Sequence, residues 1–270
     1  RRDEDGIRRY LHLGTGNYND STAHFYTDMG LLTCNRDMGM DATTLFNMLS
    51  GYSQHQYLHK MHQSPKLIRQ FINQKIDDEI EAAKDGNKAM IKMKMNSLSD
   101  KQIIEKLYEA SAAGVKIHLL IRGICCLRTD LPGVSDNIKV HSIVGRFLEH
   151  SRIYYFYNNG NEDVYLSSAD MMTRNLNRRV ELLFPVLQTD LHDRVLQIYD
   201  VLWRDNVKTR VLHDDQFERV NRRNQDPLDA QQYFVEEAEQ KVQALKAKEK
   251  AQKSAEFQPL TKHPDDLSLD

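Results

Sequence analysis

Apolar and polar positions alternate in two rhythms along the chain, and the switches between them mark out its elements. Residues 7–13 alternate Ile, Arg, Tyr, Leu and His character, which predicts an entry strand, and the Gly14-Thr15-Gly16-Asn17 loop ends it. A short helix is expected at 21–26, an apolar strand around 30–33, and helices at about 40–50 and 66–84. The second of these helices is opened by Ser64-Pro65 as cap and first residue. From Lys88 the order becomes regular: strand 89–95, helix 100–113 capped by Ser99 and stopped by Gly114, strand 115–121. A strand, helix and strand of these lengths make a βαβ unit with parallel pairing. Strands at 137–141, 152–157, 163–168 and 179–187, a helix at about 190–204 and a strand at 207–212 complete an α/β reading.

Beyond Asp226 the pattern fades into Gln, Glu, Lys and Ala with few large apolar residues. This predicts a charged, exposed helical tail that turns to disorder after Ser254. Composition changes the picture little. Of 270 residues, 37 are Lys or Arg and 39 Asp or Glu, so a net charge of -2 gives no whole-molecule attraction to nucleic acid, although a local basic pocket would still hold phosphate. No apolar run reaches the roughly 18–20 residues of a membrane span, and Arg1-Arg2-Asp3-Glu4-Asp5-Gly6 is too charged for a secretory signal; a cytoplasmic protein without intrinsic membrane segment is expected. Cys34 and the adjacent Cys125-Cys126 show no spacing for a disulfide framework or zinc. The Cys pair reads as small buried residues beneath a site, and His55, His59 and His62, at helix-like spacing without acidic company, as a solvated face rather than a metal centre.

An internal repeat points to the chemistry. Gly14-Thr15-Gly16-Asn17 and Ser167-Ser168-Ala169-Asp170 both follow an apolar strand, and thirteen residues past Thr15 and Ser168 stand Asp28 and Glu181. The shared offset predicts two related half-sites facing each other. In the second half, His150-Ser151-Arg152 precedes a strand seventeen residues before Ser167. A histidine, a cation two residues on, then S-S-x-D and an acid resemble the signature of the phospholipase D-like fold, with Arg152 where Lys is usual. A guanidinium keeps the charge and grips phosphate bidentately. No matching H-x-K precedes Gly14 in this sequence, so the first half-site is expected to be incomplete.

Longer blocks carry a narrower resemblance. Tyr10-Leu-His-Leu-Gly-Thr-Gly-Asn-Tyr-Asn, Tyr26-Thr-Asp, Lys94-Met-Asn96-Ser-Leu98, Leu119-Leu-Ile-Arg122-Gly-Ile-Cys-Cys, Arg146-Phe-Leu-Glu-His150-Ser-Arg152 and Leu166-Ser-Ser-Ala-Asp170-Met-Met-Thr-Arg-Asn175 resemble the carboxy-terminal domains of bacterial-type polyphosphate kinases, with Met171 where that family usually has Trp. The resemblance implies an α/β fold of two phospholipase D-like half-domains, with mixed sheets flanked by helices. The first, over 1–55, is partial, the second spans 56–225, and 226–270 is the charged tail. It also implies reversible transfer of the terminal phosphate of ATP to inorganic polyphosphate through a phosphohistidine, with ATP, ADP and polyphosphate as partners and no nucleic acid. Mg2+ would be held mainly by parts outside this sequence, and the full-length family assembles as homo-oligomers. By the same resemblance Tyr26, Arg122 and His150 contact nucleotide. His150, Arg122 and Arg152 are the expected catalytic residues, and His12, Thr15, Asn17 and Ser168 complete the expected substrate-binding set. A phosphodiesterase of the phospholipase D type, or a non-catalytic nucleotide- or polyphosphate-binding module, would share both half-sites.

Overall fold

A computed structural model describes residues 1–3, 6–52, 58–220 and 224–256. It separates into two compact units, 1–228 and 229–270. The first unit opens on a small hairpin, β1 (Arg2–Asp3) with β2 (Gly6–Ile7), before β3 (Leu11–Gly14), so the entry strand expected over 7–13 is shorter and starts later. A three-residue 3-10 turn, Thr22–His24, replaces the short helix and leads to β4 (Tyr26–Thr27) and β5 (Gly30–Thr33). The helix expected at 40–50 begins earlier, as α1 (Arg36–Leu49), because the Asn35 side chain accepts from the backbone N–H groups of Asp37 and Met38.

The second region is built on β6 (His62–Gln63), α2 (Leu67–Lys84), β7 (Met90–Met95), α3 (Lys101–Ala112), β8 (Lys116–Ile121) and β9 (Ile138–Ile143). It continues through β10 (Leu148–Glu149), β11 (Arg152–Phe156), β12 (Asp163–Ser167), α4 (Thr173–Asn177), β13 (Leu182–Pro185), α5 (Thr189–Arg204), β14 (Thr209–His213) and β15 (Gln216–Arg219). Among the described residues one nine-stranded sheet runs β15-β14-β9-β8-β7-β11-β12-β13-β6. β7, β8 and β9 pair in parallel, as the βαβ reading requires, and the flanking strands are antiparallel. The fold is mixed α/β, a large mixed sheet flanked by helices.

Two expected caps fall elsewhere. Ser64-Pro65 does not open α2; Lys66 occupies the cap position with positive φ, and the Ser64 hydroxyl is engaged with Arg179 and Glu181 across the chain. Asp100, not Ser99, caps α3: its carboxylate accepts from Ile103 N–H and receives Arg69 and Thr173 as well. Asp100 thereby ties α2, α3 and α4 together. The short helix α4 and the two-residue strand β10 are too brief for any periodicity to announce them.

The core lies between α2, α3 and the sheet. Ile68, Ile72, Ile76 and Ile80 repeat every four residues on α2 and are all buried, in one hydrophobic cluster with Ile91, Met93, Leu107 and Ile117. Truncating any one of these isoleucines to Ala is worth roughly 2–5 kcal/mol through lost transfer energy and the cavity left behind. Met171 is fully buried and its carbonyl accepts from Ser99 and Asp100 N–H, so it holds the turn that leads into α4. The second unit is the helix α6 (Ala230–Glu256), in agreement with the helical tail expected there; the disorder expected at its end falls on residues 257–270, outside the described residues.

Candidate active site

The repeat read from sequence is a repeat in space. Thr15 Oγ1 donates to Asp28 Oδ1 at 2.8 Å and accepts from Met29 N–H at 3.0 Å. Ser168 Oγ donates to Glu181 Oε2 at 2.6 Å and accepts from Leu182 N–H at 3.1 Å. The backbone follows the same plan: Thr15 N–H donates to Met29 O and Ser168 N–H to Leu182 O, each at 3.0 Å. Both loops thus continue an antiparallel pair, β3 with β5 and β12 with β13, in one register, and both present a small hydroxyl buttressing an acid.

β10 and β4 bring the halves together in a short parallel pair, Leu148 against Tyr26 and Glu149 against Thr27. Directly beyond that pair His150 Nδ1 stands 2.9 and 3.0 Å from the two carboxylate oxygens of Asp28. The carboxylate assigns the proton to Nδ1 and leaves Nε2 as the free nitrogen. Arg152 NH1 lies 3.3 Å from Nδ1 and 3.2 Å from Nε2, so near equidistance places it over the ring rather than in line with one lone pair. The same guanidinium grips Asp170 with two nitrogens, Nε at 3.2 Å and NH2 at 2.9 Å, and donates through NH1 to Thr15 O at 2.8 Å. Arg152 therefore spans both half-sites from a buried position.

Electrostatics follow the contacts. Burial pushes the Asp28 carboxyl up, but hydrogen bonds from His150 and Thr15, with the charges of His150 and Arg152, outweigh it and leave the group below the usual carboxylate range. Asp170 is likewise pushed up by burial and brought below its ordinary value by Arg152 and Asn96. Both remain ionised at neutral pH; Asp170 anchors the Arg152 guanidinium and Asp28 the His150 ring. Arg122 follows directly on β8; its Nε and NH2 donate to Asn96 Oδ1 at 3.1 and 3.0 Å, which aims the rest of the fork outward.

These groups line one cavity of about 260 Å³, enclosed by Thr15, Gly16, Asn17, Tyr26, Asn96, Ser97, Arg122, His150, Arg152, Ser168, Asp170, Arg174, Asn175, Arg179 and Glu181. Of the expected site residues, Tyr26, Thr15, Asn17, Arg122, His150, Arg152 and Ser168 all meet here, and the Tyr26 ring lies 4.5 Å from the His150 ring. His12 does not line this cavity: it is exposed on β3, its Nε2 bonded to Tyr18 Oη. Sequence reasoning missed Arg174, Arg179, Asn96 and Asn175 as lining residues. Their one signal is that they lie inside or just beyond two of the blocks on which the family resemblance rests, Lys94–Leu98 and Leu166–Asn175.

Two side expectations are corrected. Cys125 is half-buried and Cys126 exposed, so the pair is no buried floor; burial pushes the Cys125 thiol up to about 11, which keeps it protonated. His59 and His62 do not share a helical face: His59 sits in a bend and His62 on β6, where it stacks on Phe71 at 3.7 Å, while His55 lies outside the described residues. As for Mg2+, the carboxylates in the cavity are already committed, Asp170 to Arg152 and Glu181 to Ser168 and Asn175, and among the described residues no group of three or more His, Cys, Asp or Glu side chains is arranged to hold a metal. This donor set does not fit a resident Mg2+.

Comparison with known proteins agrees with the geometry. The family model described as polyphosphate kinase C-terminal domain 1 matches residues 1–55, and that of polyphosphate kinase C-terminal domain 2 matches residues 61–231. A polyphosphate kinase from Lactiplantibacillus plantarum is 65% identical over 245 residues, covering 90% of this chain and 34% of the relative. One from Bacillus cereus is 52% identical over 215 residues, covering 80% and 31%. The crystal structure of polyphosphate kinase from Porphyromonas gingivalis superposes with a TM-score of 0.82 at 37% identity over 88% of this chain and 37% of that one. The chain belongs to the polyphosphate kinase family, and it spans about a third of the length of the curated relatives it matches.

Proposed function

We propose that this chain provides the phosphate-gripping part of a site that transfers the terminal phosphate of ATP reversibly to inorganic polyphosphate. One observation carries the reading: four guanidinium groups, Arg122, Arg152, Arg174 and Arg179, line one cavity together with a His150 held by the Asp28 carboxylate. A phosphodiester carries a single negative charge and calls for fewer cations, whereas a polyanion with charge developing on a transferring phosphoryl calls for several.

In this reading the phosphoryl acceptor is a histidine on a strand outside this sequence. Internal symmetry suggests its seat. β12 is flanked by β13 on one edge and on the other by β11, which begins two residues after His150; β3, its counterpart, pairs with β5 on one edge and has no strand on the other among the described residues. Attack on the terminal phosphorus forms a P–N bond as the P–O bond to ADP breaks; a terminal oxygen of polyphosphate then takes the phosphoryl and releases the histidine. His150, once Nε2 has taken a proton from solvent, donates it to the leaving oxygen, while Asp28 stabilises the imidazolium through Nδ1–H. Arg122 and Arg152 meet the developing charge, and Arg174 and Arg179, exposed at the rim, hold the neighbouring phosphates of the chain. Tyr26 supplies a ring beside His150 for the nucleotide. Any Mg2+ arrives with the nucleotide phosphates.

Titration of the chain with ATP and with inorganic tripolyphosphate by calorimetry tests this. Binding is expected for both, weakening with salt and falling roughly tenfold in Arg122→Ala, the loss of one charge-assisted contact. With terminally labelled ATP and Mg2+, alkaline electrophoresis is expected to show no retained label; an acid-labile, base-stable label on His150 or His12 contradicts the assignment. Hydrolysis of a chromogenic phosphodiester, without tripolyphosphate binding, turns the reading to a diesterase.

A further inference from the structure

Beneath the cavity lies a buried ion pair that the transfer chemistry does not use. Lys94 on β7 is 2% exposed and its Nζ stands 3.4 Å from Glu149 Oε2, itself 7% exposed. The Lys94 ammonium also donates to Ser151 Oγ at 2.8 Å and Ser151 O at 3.1 Å. Glu149 and Ser151 are the two neighbours of His150 in sequence. Glu149 Oε2 further accepts from Thr27 Oγ1 at 3.1 Å, and Thr27 O accepts from the backbone N–H of His150 at 3.2 Å and of Ser151 at 2.9 Å. Thr27 in turn precedes Asp28, the residue that holds the His150 ring.

A pair so deeply placed is weak ground for stability. Removing two ions from water costs about as much as their attraction returns, and well-packed apolar replacements of a buried pair are often neutral or stabilising. Burial pushes the Lys94 ammonium below its ordinary value, and Glu149 offsets this only in part. What the pair does uniquely is geometric: one ammonium clasps both flanks of His150, and one carboxylate fastens that flank to the strand bearing Asp28.

We propose that Lys94 and Glu149 are positioning residues that, through Ser151 and Thr27, set the separation of the His150 ring from the Asp28 carboxylate and so join the two half-sites in working register. The consequence for catalysis rests on the phosphoryl-transfer reading; the positioning does not.

The test compares wild type with the double variant Lys94→Met/Glu149→Leu, which removes both ions and strands neither. Its thermal midpoint is expected to stay within a few degrees of wild type. Histidine-ring 1H–15N spectra, with the His150 signals assigned by their loss in His150→Gln, are expected to show a protected Nδ1–H in wild type, and in the double variant a ring exchanging between tautomers. Asp28→Asn is expected to reproduce that change, which ties the signal to the carboxylate contact. Tripolyphosphate affinity in the double variant is expected to fall roughly tenfold. A double variant that keeps both the wild-type His150 spectrum and the wild-type affinity overturns the proposal. Should the double variant fail to fold, Thr27→Val removes the bond from Thr27 Oγ1 to Glu149 and leaves the buried ion pair in place; an unchanged His150 spectrum there overturns it equally. If wild type itself does not bind tripolyphosphate, the transfer reading falls while the spectra still decide the positioning.

Discussion

The two half-sites share a register and differ in what they do with it. In each, a hydroxyl thirteen residues before an acid bonds that acid and the next backbone N–H. Yet Asp28 turns to His150 across the interface of the halves, whereas Glu181 stays at home with Asn175 Nδ2 at 2.7 Å. Arm length underlies the difference. Asp28 is one methylene shorter, so its carboxylate sits against the loop: a Cβ at Gly16 would fall 2.1 Å from Asp28 Oδ2. The equivalent Ala169, in the half with the longer Glu181, carries a Cβ and is fully buried. A duplicated scaffold thus fixes where acids stand, and side-chain length decides whom they serve.

The largest break in this arrangement comes from the residue that belongs to both halves. Arg152→Ala leaves Asp170 buried without its counter-ion, and removes the donor to Thr15 O. A loss of about 3–5 kcal/mol is expected, as for breaking a buried pair from one side. Urea unfolding measures it, and Arg152→Lys is expected to recover part of it, because an ammonium restores charge without the two-pronged grip. A loss below about 1 kcal/mol for Arg152→Ala, the level of an exposed pair, would mean the halves are held together elsewhere.

Gly16→Ala sharpens the comparison directly. The added methyl must displace the Asp28 carboxylate, an overpacking expected to cost about 1–3 kcal/mol, whereas Ala169→Gly in the other half is expected to cost about 0.5–1 kcal/mol through backbone freedom. The paired measurement is the difference of the two unfolding free energies; equal values would remove arm length as the source of the asymmetry.

Much of this was readable beforehand, and the rest fails for identifiable reasons. The offset that joins Thr15 to Asp28 and Ser168 to Glu181 is local, lying within a hairpin, so the sequence alone exposes it. The βαβ unit is likewise local and strongly patterned. The His150 contact with Asp28 spans 122 residues and hangs on a two-residue parallel pair, which leaves no period to read. Arg174 and Asn175 ride on a five-residue helix, again too short to announce a face. Ser64 looked like a helix cap because hydroxyl before proline is a cap signal, but its oxygen is claimed by a partner 115 residues away.

The smallest expected effect lies in acid, where the halves differ by exposure. Both Asp28 and Asp170 have native values below the ordinary carboxylate value, so each contributes stability that is complete above about pH 4 and fades as pH falls through the lowered value. Solvent screens the Asp28 pair, whose side chains are 16% and 26% exposed, more than the Arg152–Asp170 pair at 8% each. Asp170→Asn is therefore expected to flatten the fall in unfolding free energy below pH 4 more than Asp28→Asn does. A second slope lies above it: His62, His118 and His141 are pushed down to about 4, burial being the main cause. Between pH 6.5 and 4 the unfolded chain binds protons at these rings that the folded chain refuses, so stability drops with acid in that window too. His118 and His141 sandwich Trp203 at 4.2 and 3.8 Å, so indole fluorescence follows unfolding there. Neither aspartate variant is expected to change the slope above pH 4; if Asp28→Asn flattens that upper slope, or matches Asp170→Asn below it, the first half-site is as deeply coupled as the second and exposure does not distinguish them.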